Sequence, residues 1–109
     1  MLFRSLLVDG VAIPYALARV PAVGEHRGNI AAGASTRGQP LSERDQWLCD
    51  QIGDELRRRG LLFVGIDVIG DYITEINVTS PTCIRELDQE FNINISAELF
   101  ECIEQRLSV

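Results

Sequence analysis

Two oxygen-bearing side chains lie two residues apart in an apolar segment in the second half of the chain. Glu75 and Asn77 belong to the run Tyr72–Thr79, whose composition is typical of a β-strand. Because residues i and i+2 of a strand point to the same face, their carboxylate and amide oxygens should lie side by side. Ile76 and Val78 should point the other way, into the core. Oxygen ligands of this kind suit Mg²⁺, so the pair is a candidate for binding magnesium.

Asp67 lies in the preceding apolar run, and the turn between the two strands decides which face its carboxylate joins. A two-residue turn at Gly70–Asp71 places Asp67 opposite Thr74 and leaves Glu75 on the other face. A three-residue turn places Asp67 opposite Glu75 instead. Because the side-chain period of a strand is two, this shift by one residue moves Glu75 to the face of Asp67. Both registers are compatible with the sequence, and only the second brings three oxygen ligands together.

The second register has two further consequences. It places Gly65 opposite Asn77, where a residue without a side chain leaves room for a ligand. It also brings the carboxylates of Asp67 and Glu75 together, which is unfavourable unless a cation offsets their charge. In the competing interpretation, Glu75 and Asn77 form the solvated face of a half-exposed strand. The position of Asp67 within an apolar run argues against that interpretation, since a buried carboxylate needs a partner.

The first forty residues contain a predicted hairpin and a long glycine-rich stretch. Apolar runs at Leu2–Val8 and Val11–Val20 flank Asp9–Gly10, and this dipeptide between apolar runs favours a type I′ hairpin turn. Pro14 suits an edge position or a break in the second strand. The stretch Pro21–Pro40 is too long and too rich in glycine for a plain connector, and is typical of a lid, a binding loop or a disordered segment.

A helix should follow, between a good N-cap at Ser42 and a good C′ residue at Gly60. Leu48, Ile52 and Leu56 recur at helical spacing and form its apolar stripe. Two further strands and two helices are then predicted at Leu61–Ile69, Tyr72–Thr79, Cys83–Phe91 and Ser96–Leu107. Antiparallel hairpins packed against helices on one face predict an α+β fold, with residues 1–109 forming one domain.

Composition and charge restrict the class of protein. The length of 109 residues suits one domain, and the net charge of −6 argues against nucleic acid or an anionic membrane as a partner. The cysteines Cys49, Cys83 and Cys102 form no CxxC pair, which argues against a zinc site and favours reduced thiols in the cytoplasm. We expect neither a signal peptide nor a membrane span.

Several segments together resemble one known family. The run GLLFVGIDVIGDYITEINVTSPTCIREL resembles the C-terminal signature of the prokaryotic glutathione synthetases, which are ATP-grasp ligases. Further matches are LLVDGVAIPYALARVP, GEHRGNIAAG and PLSERD, so the resemblance extends from Phe3 to Leu107. It implies that the α+β unit is the C-terminal part of an ATP-grasp fold.

The resemblance implies an activity and a set of site residues. The family joins γ-glutamylcysteine to glycine and uses ATP to form an acyl phosphate. Asp67, Glu75 and Asn77 match the metal-ligand positions, for Mg²⁺ with Mn²⁺ as an alternative ion. The resemblance implies that Arg4 and Arg19 face the acyl phosphate. It also implies that Arg27, Gly28 and Asn29 form the core of a mobile loop at about 20–36. The turn that lines the peptide and glycine pocket corresponds to Thr79, Ser80, Pro81 and Thr82.

Two departures from the family bear on these expectations. The family has an arginine at the position of Ser35, and Arg37 is the candidate substitute two positions later. Complete enzymes also carry an N-terminal domain and a central ATP lid, which supply lysines on the phosphates and the adenine pocket. This chain contains no lysine. We therefore expect a C-terminal fragment that is inactive alone.

Two alternatives to a glutathione synthetase fragment remain. The chain could come from another ATP-grasp carboxylate–amine ligase, since the metal strand is common to such enzymes. It could also be a non-catalytic module that forms oligomers, because exposed strand edges recruit partners. The expected partners are ATP, γ-glutamylcysteine and glycine, together with another copy of the chain or the missing N-terminal half.

Overall fold

Two antiparallel hairpins and one added strand build the sheet of this protein. The computed structural model describes residues 2–20, 35–79 and 81–108. Its elements in chain order are β1 (Leu2–Val8), β2 (Val11–Val20), β3 (Ser35–Pro40), α1 (Glu43–Arg58), β4 (Phe63–Ile69), β5 (Tyr72–Asn77), α2 (Ile84–Phe91) and α3 (Ile95–Leu107). Within the described residues, the strands form one antiparallel sheet in the order β3-β2-β1-β4-β5.

The first hairpin closes at Asp9 and Gly10, as the sequence predicts. Their φ angles are 51° and 78°, both in the left-handed region that a type I′ turn requires. The ladder between β1 and β2 shifts register between Ser5 and Leu7 of β1, opposite the part of β2 that contains Pro14. Pro14 does not interrupt β2, which is one continuous strand, but it lies within this register shift. Pairing with β3 begins at Tyr15, one residue after Pro14.

The glycine-rich stretch is not a loop throughout, which corrects the prediction for its last six residues. These residues form β3, which pairs with β2 from Val20 opposite Ser35 to Tyr15 opposite Pro40. Glycine and proline have low strand propensity, so the sequence did not indicate a strand here. The partner strand supplies the hydrogen bonds that override this local preference. Residues 21–34 lie outside the described part of the chain.

Helix α1 has the ends that its sequence predicts. The hydroxyl oxygen of Ser42 accepts a hydrogen bond from the backbone N–H of Asp45 at 3.0 Å. Gly60, just beyond the other end, has a φ of 74°. The helix approaches the first hairpin turn so closely that a Cβ on Gly53 would lie 2.3 Å from the carbonyl oxygen of Gly10. The absence of a side chain at Gly53 thus permits the close approach of α1 to the hairpin.

Helices cover both faces of the sheet, and not one face as predicted. The buried residues between the sheet and α1 are Leu7, Leu48, Cys49, Leu56, Val64, Ile66 and Val68. Those on the face covered by α2 and α3 are Leu6, Val8, Ile13, Leu17, Cys83, Leu87 and Ile95. Alternate residues of β1 enter the two clusters, because successive side chains of a strand point to opposite faces. The α+β class is confirmed, with the sheet as the middle of three layers.

Two apolar side chains predicted to point into the core, and two on the last helix, are at the surface. Ile76 and Val78 are 47% and 46% exposed, because they lie at and just beyond the end of the edge strand β5. In α3, Leu99 packs against the core, but Phe100 and Leu107 are 62% and 80% exposed. Within the described ranges, no helix combines the length and the apolar character needed to cross a membrane.

Candidate functional site

The second hairpin combines features of both predicted registers. Ile69 pairs with Tyr72 across a two-residue turn, which is the shorter of the two alternatives. The register then shifts, and Asp67 pairs with Glu75, so that Thr74 is an extra residue in β5. A β-bulge of this kind places two residues of one strand against one of the other. The carboxylates of Asp67 and Glu75 are thereby brought to one face, as the longer turn would have done.

Asp67 forms a buried ion pair with Arg4 of the neighbouring strand β1. Nε of Arg4 donates to Oδ1 at 2.7 Å and Nη2 donates to Oδ2 at 2.9 Å, which is a bidentate fork. The two residues are 6% and 4% exposed and lie directly opposite each other in the ladder between β1 and β4. The hydrogen bond to Asp67 raises the pKa of Arg4, against the opposing effect of burial. The protein itself thus supplies a cationic partner for the buried acid.

Thr82 joins this pair to a second arginine. Its hydroxyl oxygen accepts hydrogen bonds from Nη1 of Arg4 at 2.9 Å and from Nη2 of Arg19 at 3.3 Å. The same nitrogen of Arg19 lies 3.7 Å from the sulfur of Cys83. Arg19 belongs to β2, and Thr82 belongs to the segment between β5 and α2. The two predicted arginines therefore lie together, and one hydroxyl group links them.

The predicted space for a ligand at Gly65 is filled, so that prediction is wrong. Gly65 does pair with Asn77, but a Cβ on Gly65 would lie 2.8 Å from the Cβ of Pro81. Pro81 is buried. The missing side chain at Gly65 lets the segment after β5 pack closely on β4. This packing brings Thr82 within reach of Arg4.

Four predicted site residues lie outside the described part of the chain: Arg27, Gly28, Asn29 and Ser80. The residues that flank the predicted loop are described. Arg19 pairs with Thr36, while Arg37 pairs with Ala18 and is exposed. Because neighbouring residues of a strand alternate between faces, Arg37 lies on the face opposite to that of Arg19.

The oxygen-bearing residues of the second hairpin suit a hard cation. Asp67 accepts both hydrogen bonds from Arg4, and Oδ1 of Asn77 accepts one from the N–H of Thr79 at 3.0 Å. Each oxygen keeps a further lone pair, and Glu75 is exposed. Among the described residues, no three His, Cys, Asp or Glu side chains are grouped to hold a metal. A metal here would depend on the amide of Asn77 and on ligands from outside, such as phosphate oxygens.

Sequence reasoning found the members of this site but missed how they pair. Arg4 and Asp67 are 63 residues apart, and no local signal shows that β1 lies beside β4. The bond between Thr82 and the two arginines was missed for the same reason. The one available signal was Asp67 itself, because a carboxylate within an apolar strand requires a partner.

The protein is an α+β unit with an antiparallel sheet between helices, and one face of the sheet carries arginine donors and carboxylate acceptors. The comparison with family models assigns it to the ATP-grasp class. The match is to the prokaryotic glutathione synthetase, ATP-grasp domain, and covers residues 3–92. The chain belongs to this family.

Glutathione synthetases from several bacteria are similar to the chain over most of its length. It is 61% identical to the one from Xanthomonas axonopodis over 101 residues, 93% of this chain and 32% of the relative. It is 60% identical to the one from Pseudomonas aeruginosa over 105 residues, 96% of this chain and 33% of the relative. It is also 60% identical to that of Shewanella oneidensis over 104 residues, again 33% of the relative. The chain spans about a third of the length of these curated relatives.

Proposed function

We propose that this chain is the C-terminal part of a glutathione synthetase, which joins γ-glutamylcysteine to glycine. In the proposed reaction, ATP phosphorylates the cysteinyl carboxylate and leaves as ADP. The amine of glycine then attacks the acyl phosphate and phosphate departs. The observation that carries the proposal is the convergence of Arg4, Arg19 and Asp67 on one face of the sheet, beside Glu75. This face holds donors for phosphate oxygens and acceptors for a cation, both of which phosphoryl transfer needs.

In the proposed site, Asp67, Glu75 and Asn77 would hold Mg²⁺, with Mn²⁺ as an alternative ion. The ion would neutralise negative charge on the phosphates of ATP. The pairing of Asp67 with Glu75 supports this assignment, and the all-oxygen ligand set suits either ion.

Arg4 and Arg19 would bind the carboxylate and acyl phosphate oxygens, which suit the planar guanidinium group. The loop at about 20–36, including Arg27, Gly28 and Asn29, would close over the site and exclude water that hydrolyses an acyl phosphate. The ladder between β2 and β3 supports this role, because it would hold both ends of the loop beside Arg19. The turn with Ser80 and Thr82 would lie at the peptide and glycine pocket.

We further propose that the chain supplies half of the site and does not catalyse ligation alone. It contains no lysine, and lysines on the phosphates and the adenine pocket would come from the remainder of the enzyme. The partners would therefore be ATP, γ-glutamylcysteine, glycine and that remainder. A cytoplasmic location is part of the proposal, and the three free cysteines support it.

A chimera tests this function. The matching third of the Pseudomonas aeruginosa glutathione synthetase would be replaced by this chain, which is 60% identical to it. We expect ATP-dependent ligation by the chimera, and a loss of about a hundredfold or more in rate with Glu75→Gln. Glu98→Gln, at an exposed position on α3, is the matched control and should keep the rate. A folded chimera without ligation would contradict the proposal.

A second candidate function is assembly through the edge strand β5. Tyr72 and Ile76 are 74% and 47% exposed, and a groove of about 430 Å³ beside α1 is lined in part by Ile52, Ile76 and Val78. An exposed strand edge beside apolar surface favours pairing with another chain. Sedimentation of the chain at increasing concentration tests self-association. A monomer at high concentration that still binds Mg·ADP would favour the enzyme fragment.

A further inference from the structure

The hydroxyl oxygen of Thr82 accepts hydrogen bonds from two arginines. Its oxygen accepts hydrogen bonds from Arg4 at 2.9 Å and from Arg19 at 3.3 Å. A hydroxyl has two acceptor lone pairs and one hydrogen to donate. The same oxygen lies 3.6 Å from the sulfur of Cys83. Thr82 thus contacts both of the arginines that are proposed to bind the substrate.

The two arginines that share this hydroxyl are held to different degrees. Arg4 is 6% exposed and donates twice to Asp67 in addition to its bond with Thr82. In the described part of the chain, Arg19 contacts Thr82 and Cys83 through one nitrogen only. Asp67 thus fixes Arg4 independently of Thr82, whereas the orientation of Arg19 depends on the segment that contains Thr82.

Arg19 also has a buried donor without a partner. Its Nε is buried and has no hydrogen-bond partner among the described residues. A buried N–H group without a partner is unfavourable, so an anion that accepts this hydrogen would be stabilised. Arg4, by contrast, already has three of its five N–H groups engaged with Asp67 and Thr82.

We propose that Thr82 is a positioning residue that holds Arg19 beside the fixed Arg4–Asp67 pair, so that both guanidinium groups converge on one carboxylate or acyl phosphate. The identity of this anion rests on the proposed function, but the positioning itself does not. The contribution of Thr82 is preorganisation, since immobilising a long side chain on binding carries an entropic penalty. An arginine that is already oriented avoids most of that penalty.

Side-chain ¹⁵N relaxation of the whole 109-residue chain tests the positioning. Thr82→Val keeps the shape of the side chain and removes the oxygen, while Thr82→Ser keeps the oxygen and serves as the matched control. In Thr82→Val, the order parameter at Nε of Arg19 should fall to below about 0.6, the range of flexible groups, while that of Arg4 stays near its wild-type value. Thr82→Ser should leave both values unchanged. Unchanged order at Arg19 in Thr82→Val, or equal loss at both arginines, would overturn the proposal.

A titration with inorganic phosphate, followed by the Nε–H signal of Arg19, separates this proposal from the proposed function. We expect Thr82→Val to weaken phosphate binding by about threefold to tenfold, and Thr82→Ser to leave it within about twofold. Equal affinity of Thr82→Val and wild type would overturn the link between positioning and binding. Absence of phosphate binding by the wild-type chain would contradict the anion-binding role of the arginines. The relaxation data would still decide whether Thr82 positions Arg19.

Discussion

Asp67 lies between a cationic side chain, Arg4, and an anionic one, Glu75. Toward β1 its oxygens accept two hydrogen bonds from Arg4, and toward β5 it pairs with Glu75. The fork explains how a carboxylate persists within an apolar strand, because a buried charge must be paired and hydrogen-bonded. It also places Arg4, which is proposed to bind the anionic substrate, next to the proposed metal ligands.

Asp67→Asn should destabilise the fold strongly. The substitution leaves the buried guanidinium of Arg4 without a counter-charge, which we expect to lower the free energy of unfolding by about 3–5 kcal/mol. Urea denaturation measures the change. Glu55→Gln is the matched control, because Glu55 forms ion pairs only at the surface, with Arg58 and Arg59, and its loss of stability should be much smaller. Equal losses in the two variants would contradict a stabilising role for the buried pair.

Cys49 should make the stability of the chain sensitive to alkaline pH. Burial, reinforced by Asp45 and Asp50, raises the pKa of its thiol from 9.0 to about 12. The folded state therefore keeps a proton that the unfolded chain releases above pH 9. The stabilisation is complete below pH 9 and is lost as the pH rises toward 12.

The comparison of wild type with Cys49→Ala isolates this effect from other groups that titrate in the same range. Urea denaturation from pH 8 to 12 should show a steeper loss of stability in the wild type than in the variant. Parallel pH dependence in the two proteins would show that Cys49 does not contribute.

At the scale of elements, the bulge at Thr74 determines which face the site residues share. A regular two-residue hairpin would have placed Asp67 opposite Thr74, and Glu75 would have pointed to the α1 side of the sheet. The extra residue restores Glu75 to the face of Asp67. The hairpin thus combines a short turn with the register that clusters the carboxylates.

Gly53→Ala should destabilise the protein, although alanine is the better helix former by about 1 kcal/mol. The new methyl carbon would lie 2.3 Å from the carbonyl oxygen of Gly10, and this contact cannot relax without moving α1 away from the hairpin. We expect a loss of about 1–3 kcal/mol in the free energy of unfolding, measured in urea. Gln51→Ala, at an exposed position of the same helix, should change stability by less than about 0.5 kcal/mol. A gain in stability for Gly53→Ala would show that the contact is not tight.

The elements with strong local signals were predictable from the sequence, and those that depend on distant partners were not. Ser42 and Gly60 mark the ends of α1, and Asp9–Gly10 marks the first hairpin. Strand β3 was missed because its stability comes from β2 and not from its own composition. The register at Asp67 required the bulge, for which the sequence near Thr74 has no signal. The pairing of Arg4 with Asp67 was not predictable either, because the two residues are far apart in the sequence.

At the scale of the whole molecule, the chain forms one sheet with two cores but spans only about a third of its relatives. The proposed site lies on one face of this sheet, and the rest of the family enzyme would complete it. The exposed apolar residues of β5 and α3 fit this interpretation, since large apolar patches at the surface mark contact sites. The central claim is that the face with Asp67 and Glu75 holds a metal against a nucleotide.

Calorimetric titration of the 109-residue chain with Mg·ADP tests this claim most directly. We predict measurable binding that is lost on removal of the metal and in Glu75→Gln, because Glu75 supplies a ligand oxygen to the proposed ion. Glu98→Gln, exposed on α3, should bind as the wild type does. Absence of binding by the wild type, or equal affinity of Glu75→Gln, would contradict the proposed metal and nucleotide site.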